Sequence, residues 1–254
     1  MAEPRRIMIT GGTSGIGLAA ALRFAAGPAA RIVLNGRDHA RGAAACGAVR
    51  ARHPACHVAF VPADISGREG ASHLIEAGVR ELDGPIDVLV NSAGGAFLPT
   101  LFHDTTLNDI DGIVRAWLLG TIYVCRLALP RMADGGAIVN VASDAAKVPT
   151  PGESVIGAAM AGIAMFSRTL AMEGKRRRIR VNVVTPSLVE GTLTTARITA
   201  GGFSARLFGK AARAAQLGLP TADDVAAAVV FLAGADAARM TGQVVSVNGG
   251  ISAG

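Results

Sequence analysis

Residues 10–17 read Thr-Gly-Gly-Thr-Ser-Gly-Ile-Gly. They lie between a short apolar run, Ile7-Met8-Ile9, and an Ala/Leu-rich stretch with helical character. A glycine turn between a strand and a helix aims backbone N–H groups and a helix N-terminus at a phosphate. In such a loop Gly11 permits the tight turn. Gly15 lets a pyrophosphate approach the backbone, and Gly17 lets the helix pack closely on the strand. The chemistry implied is the holding of a dinucleotide.

Strands are expected near 6–10, 31–35, 57–62, 87–91, 137–142, 180–185 and 243–248, with helical patterns between them. Near-continuous apolar strands alternating with helices predict a parallel sheet covered on both faces. The expected fold is therefore α/β: a single Rossmann-type, doubly wound sheet of about seven strands. A ligand would sit at the C-terminal strand ends, at the topological switch point. One long segment of weak periodicity, 186–220, is expected to hold short helices and to cover the substrate. No linker splits the chain, so residues 1–254 read as one dinucleotide-binding domain.

With 254 residues, 50% of them hydrophobic and 17% charged, the chain can bury a substantial core. No apolar stretch of about twenty residues lacks a charge or a breaker, which argues against a membrane span. The start, Met1-Ala2-Glu3-Pro4-Arg5-Arg6, precedes no apolar signal core. Cys46, Cys56 and Cys125 are scattered without metal-ligand spacing, as expected of reduced thiols in a cytoplasm; no metal site is expected. The net charge of +6 raises nucleic acid as a partner. The dense basic run Lys175-Arg176-Arg177-Arg178, followed by Arg180, has no interleaved aromatic residues to stack bases. It reads as a solvated helix end, where cations suit the C-terminal dipole.

Further strings follow in order. Asp64-Ile65 comes after the third strand, Asn91-Ser92-Ala93-Gly94 ends the fourth, and Val141-Ala142-Ser143 ends the fifth. Ile179 to Pro186 carries the sixth, and Thr241-Gly242-Gln243 with Val247-Asn248-Gly249-Gly250 closes the chain. In this order the sequence resembles the short-chain dehydrogenase/reductase family over essentially its whole length. That resemblance implies binding of NAD or NADP and hydride exchange with an alcohol or carbonyl carbon of a small molecule. It implies that Gly11, Thr13, Ser14, Gly15, Ile16 and Gly17 hold the pyrophosphate side. Asp64 and Ile65 would contact the adenine, and Asn91, Ala93 and Gly94 the ribose. Pro186, Val189 and Thr192 would hold the carboxamide end, although Pro186-Ser187 replaces the family's usual Pro-Gly and the threonine comes one residue late. The family commonly forms dimers or tetramers through its long helices and C-terminal strand.

Charge bears on the choice of cofactor. An NAD binder places a carboxylate on the ribose 2′-hydroxyl about twenty residues after the loop. Here the sequence is Asn35-Gly36-Arg37. A guanidinium can pair with a 2′-phosphate, which favours NADP over NAD. The plainer alternative is that Arg37 is a solvated turn residue beside Asp38.

The family's proton chemistry uses a Ser, a Tyr and a Lys four residues later, supported by an Asn on the preceding long helix. This chain has one tyrosine, Tyr123, and four residues beyond it stands Leu127. Counting from Ser143, the tyrosine position falls at Ile156, the lysine at Met160 and the asparagine at Trp117. Ser143 alone is retained, and a serine hydroxyl needs a partner base. Lys147, Asp144 and Glu153 are nearby substitutes for an acid or charge anchor; otherwise they are solvated loop charges. Two functions follow. One is an NADP-dependent oxidoreductase with an altered proton path and a hydrophobic substrate. The other is a non-redox protein of the same fold: an isomerase, lyase or cyclase, or a nucleotide- or partner-binding subunit.

Overall fold

Each apolar run becomes a strand of one parallel sheet. The structure, a computed structural model, describes residues 5–27 and 30–253. The start of the chain read above for a signal segment (1–4) lies outside the described residues. The strands are β1 (Arg6–Thr10), β2 (Arg31–Gly36), β3 (His57–Pro62), β4 (Ile86–Asn91), β5 (Met132–Val141), β6 (Arg180–Pro186) and β7 (Val244–Val247). Their order is β3-β2-β1-β4-β5-β6-β7, all parallel. The chain reverses direction across the sheet between β1 and β4, as the expected fold requires.

β5 begins earlier than the sequence pattern indicated. Met132 pairs with Ile86, the register then shifts, and pairing resumes at Val88 with Ala137. The intervening Asp134-Gly135-Gly136 reads as a turn in sequence, and Gly135 has φ +82°.

Alternate strand residues feed two cores, because side chains of a strand point to opposite faces. Ile7, Ile9, Ile32, Leu34, Val88 and Val90 face one side. Helices α1 (Gly15–Ala25), α2 (His39–Arg52) and α9 (Ala222–Ala233) cover it with Phe24, Val49, Val225 and Val229. Met8, Val33, Leu89 and Ile138 face the other. There α3 (Arg68–Leu82), α5 (Gly120–Ala128) and α6 (Ser154–Gly174) contribute Leu74, Val124, Cys125 and Leu170. Each such burial is worth about 1.5–3 kcal/mol relative to exposure. Tyr123 packs at the margin of this second core with its ring under the Arg68 guanidinium, in keeping with a packing role.

α4 (Leu107–Ile113) runs into α5 through a π-helical stretch, Val114–Leu119, which carries Trp117. Two helical stretches, Leu107–Arg131 and Ser154–Arg177, are long and apolar enough to cross a membrane by length and composition. In this fold they pack on the sheet and on each other.

Two basic residues of the 175–180 run depart from the expectation of a solvated helix end. Arg177 binds Asp134 at 2.8 Å and donates to the carbonyls of Leu129 and Met132. Arg180 donates to the carbonyls of Leu232, Ala233 and Gly234, where α9 ends. The Leu232, Ala233 and Gly234 carbonyls lie at the end of α9, so Arg180 completes a helix end remote in sequence, while Arg177 clasps the turn that leads into β5.

A buried polar chain ties the strand ends together. Asn91 donates to Asn140 at 2.9 Å, Asn140 donates to Ser167 at 2.8 Å, and Ser167 donates to the Ile163 carbonyl at 2.7 Å. Asn140→Ala breaks the chain in the middle and leaves buried groups unpaired. The expected cost is about 1–3 kcal/mol, read as a lower urea midpoint with unchanged slope.

Candidate active site

At the C-terminal ends of β1, β4, β5 and β6 lies a cleft of about 640 Å³. The glycine loop forms one wall. Gly11 has φ +64°, and a Cβ there would lie 2.6 Å from the Ser92 carbonyl oxygen and 2.7 Å from the Ala93 nitrogen. A Cβ on Gly17 would overlap the Gly11 carbonyl. The loop therefore brings bare backbone to the cleft, as an approaching phosphate requires. Ser14 precedes α1 in extended backbone without using its side chain as a cap.

Gly11, Thr13, Ser14, Gly15 and Ile16 line the cleft, whereas Gly17 packs behind the loop. At the exit of β2, Asn35 is buried and donates to the carbonyls of Val61 and Ala63, so its side chain is committed to the sheet. Arg37 is the first side chain beyond it that lines the cleft, and Arg41 on α2 lines it too. The two guanidiniums have exposed carboxylate neighbours, Asp64 at 3.9 Å from Arg37 and Asp38 at 3.5 Å from Arg41. Sequence reasoning missed Arg41. Its spacing of four from Arg37, across the first turn of α2, was the available signal.

The other expected residues divide. Ala93, Gly94, Pro186, Val189 and Thr192 line the cleft. Asp64 and Ile65 stand outside its lining, Ile65 buried in the second core. Asn91 is also buried. Its amide is spent on Asn140 and Cys125, and its carbonyl accepts from Thr10, whose hydroxyl also receives the Ser92 and Ala93 N–H groups. Asn91 thus fixes the loop that reaches the cleft instead of lining it.

Ser143 lines the cleft at the end of β5, and its hydroxyl accepts from the Ala145 N–H at 3.3 Å. Ile156 and Met160, one helical turn apart on α6, face the same space and are buried. Trp117 lies against Gly94, where a Cβ would come 2.5 Å from the indole nitrogen, and against Phe97 at 5.8 Å between ring centres. The segment 186–220 holds α7 (Leu193–Thr199) and α8 (Gly202–Ala214), and both line the cleft. Leu188, Ile198 and Phe208 form a small core of their own beneath these helices.

Three charged groups lie near Ser143. Asp144 is buried and accepts from Asn248 and Ser252, each at 2.6 Å. Lys147 binds the Ser246 hydroxyl and stands 4.0 Å from Asp144. Glu153 lines the cleft, and burial pushes its carboxyl up from 4.5 to about 7, with the Asp144 charge adding to the rise. Among the described residues no cluster of three His, Cys, Asp or Glu is placed to hold a metal ion.

A family model described as enoyl-(acyl carrier protein) reductase matches residues 11–252. The chain belongs to the short-chain dehydrogenase/reductase family of NAD(P)-dependent oxidoreductases. An uncharacterized oxidoreductase of Methylorubrum extorquens is 33% identical over 251 residues, covering 98% of each chain. The 3-oxoacyl-[acyl-carrier-protein] reductase of Chlamydia pneumoniae is 30% identical, covering 98% of this chain and 97% of its own. A Burkholderia cenocepacia short-chain dehydrogenase solved in complex with NADP is 28% identical, with a TM-score of 0.87 and 98% of each chain covered.

Proposed function

We propose that this protein is an NADP(H)-dependent oxidoreductase that acts on a hydrophobic small molecule without the family's Tyr–Lys pair. The observation that carries the NADP reading is the pair Arg37 and Arg41 lining the cleft where β2 ends, with Asn35 turned into the sheet. The glycine loop fits a pyrophosphate: Gly15 presents no Cβ to the cleft, and Gly11 and Gly17 let the turn close tightly behind it. Gly11, Thr13, Ser14, Gly15, Ile16 and Gly17 would hold it, and Arg37 and Arg41 the 2′-phosphate. Asp64 and Ile65 would border the adenine, Ala93 and Gly94 the ribose, and Pro186, Val189 and Thr192 the carboxamide. Asn91 supports the ribose loop from behind. Bound there, the nicotinamide supplies or accepts a hydride. Ser143 can donate a hydrogen bond to a substrate oxygen. Trp117, Ile156 and Met160 would give the substrate an apolar wall, and α7 and α8 would shut out water.

Arg37→Ala is expected to weaken NADPH binding about 10–100-fold, the worth of a charge-assisted hydrogen bond, and to leave NADH binding unchanged. Isothermal calorimetry with both nucleotides reads the difference. Equal loss for the two would remove the 2′-phosphate assignment, and no binding of either by the wild type would remove the redox reading.

A second reading is favoured by one observation: Ile156 and Met160 turn two buried apolar side chains to the cleft. In that reading the nucleotide is structural, and the protein is an isomerase, lyase or cyclase, or a binding subunit. Tight NADPH binding with no oxidation by aldehydes, ketones, enones or imines would select it. We also assign the protein to the cytoplasm as a homodimer or homotetramer. Met165 and Met172, exposed on α6, support assembly through that helix.

A further inference from the structure

We propose that Glu153 exchanges the proton with substrate in this cleft, doing with a carboxyl what the family does with a tyrosine. The inference rests on the proposed hydride transfer. Glu153 immediately precedes α6, so Ile156 and Met160 follow it on the same face at intervals of three and four residues. All three line the cleft with Ser143. The carboxyl therefore lies one turn from the position where register places the missing tyrosine.

The backbone that carries Glu153 is held on both sides. Thr100 N–H donates to the Gly152 carbonyl at 2.8 Å, Glu153 N–H to Thr150 at 3.0 Å, and Gly157 N–H to Glu153 at 2.5 Å. Although Glu153 occupies the N-cap position, its side chain makes no capping hydrogen bond to α6. The Thr150 hydroxyl is its hydrogen-bond neighbour. Asp144, from the turn after β5, is the charge that acts on it, and Arg37, Arg41, Arg197 of α7 and Lys210 of α8 also line the cleft.

Other candidates are occupied. Asp144 is bound by Asn248 and Ser252, Lys147 by Ser246, and Tyr123 packs beside Arg68. The burial that raises the Glu153 carboxyl to about 7 keeps it able to give and take a proton near neutrality. In the reductive direction the carbonyl carbon would receive a hydride from the reduced cofactor. Its oxygen takes the Glu153 proton, and the resulting carboxylate is reprotonated from solvent. Oxidation of the alcohol reverses each transfer.

The test uses the whole chain with NADPH bound. Infrared difference spectra of wild type against Glu153→Gln report the protonated carboxyl directly. Turnover is followed on the carbonyl, enone and imine panel across pH 7. The expected result is a carboxyl band that disappears as pH rises through about 7. Glu153→Gln should bind NADPH as the wild type does, turn over about 10²–10⁴-fold more slowly and lose that pH limb. Glu153→Asp should retain part of the rate together with the limb. A Glu153 that is ionised throughout overturns the proposal, as does a Glu153→Gln variant with wild-type rate and pH profile. Both results leave NADPH-dependent turnover standing. A wild type that binds no nucleotide, or binds NADPH and reduces nothing, overturns the redox reading and the role of Glu153 with it.

Discussion

Gly11→Ala loses NADPH binding and costs about 2–5 kcal/mol of stability. The backbone at Gly11 is left-handed, φ +64°, which penalises an L side chain by about 1–2 kcal/mol. The new methyl group also meets backbone, not a flexible side chain: the Ser92 carbonyl oxygen at 2.6 Å and Ala93 at 2.7 Å. Those atoms cannot retreat cheaply. Ser92 N–H is held by the Thr10 carbonyl, and both Ser92 and Ala93 N–H groups point at the Thr10 hydroxyl. Overpacking of this kind adds about 1–3 kcal/mol. Relief requires β1 and β4 to separate at the point where the cleft opens, so affinity falls with stability. Urea unfolding and calorimetry with NADPH measure the two effects. Gly47→Ala is the control. Gly47 is exposed on α2 with no atom within 4 Å of its would-be Cβ, and alanine there should stabilise by about 0.5–1 kcal/mol. Equal behaviour of the two variants would show that the loop tolerates a side chain, contrary to its geometry.

Glu153→Gln makes the protein more stable above pH 7 and leaves it unchanged below pH 4.5. The folded state raises this carboxyl from 4.5 to about 7, mainly through burial. Between those values the native protein holds a proton that the unfolded chain has released, so wild-type stability falls as pH rises across the interval. The full displacement corresponds to about 3 kcal/mol. Glutamine keeps the shape and carries no charge to desolvate, so it escapes the loss. Thermal unfolding at matched pH values, wild type against variant, should give curves that coincide in acid and separate progressively toward pH 7. Parallel curves across the whole range would place the Glu153 carboxyl in water.

The sheet was readable because its strands are buried on both faces. Runs such as Ile32 to Leu34 and Val88 to Val90 have no polar side chain to obscure them. The start of β5 was not readable, since Asp134-Gly135-Gly136 is turn chemistry set inside a ladder. The glycine loop announced itself because Gly11 and Gly15 have left-handed backbone and a Cβ on Gly17 would overlap the Gly11 carbonyl. The roles of Arg177 and Arg180 were hidden because their partners, Leu129 and Leu232, are remote in sequence. Asn91 was legible as part of the site but not as its support, because the difference depends on Asn140 reaching it from the next strand. Glu153 could be named only as a charge near Ser143. What sets it apart is its half-buried place in the cleft, and the burial of a loop carboxyl is decided by the elements that close over it.

The π-helical stretch places the chain's only tryptophan at the cleft, against Gly94 and Phe97. The protein therefore carries a built-in optical reporter: its indole emission arises from one place, and no second indole dilutes it. A reduced nicotinamide seated nearby absorbs at the wavelengths where indole emits and would quench that light by energy transfer. Trp117 thus makes occupancy of the cleft visible without a label.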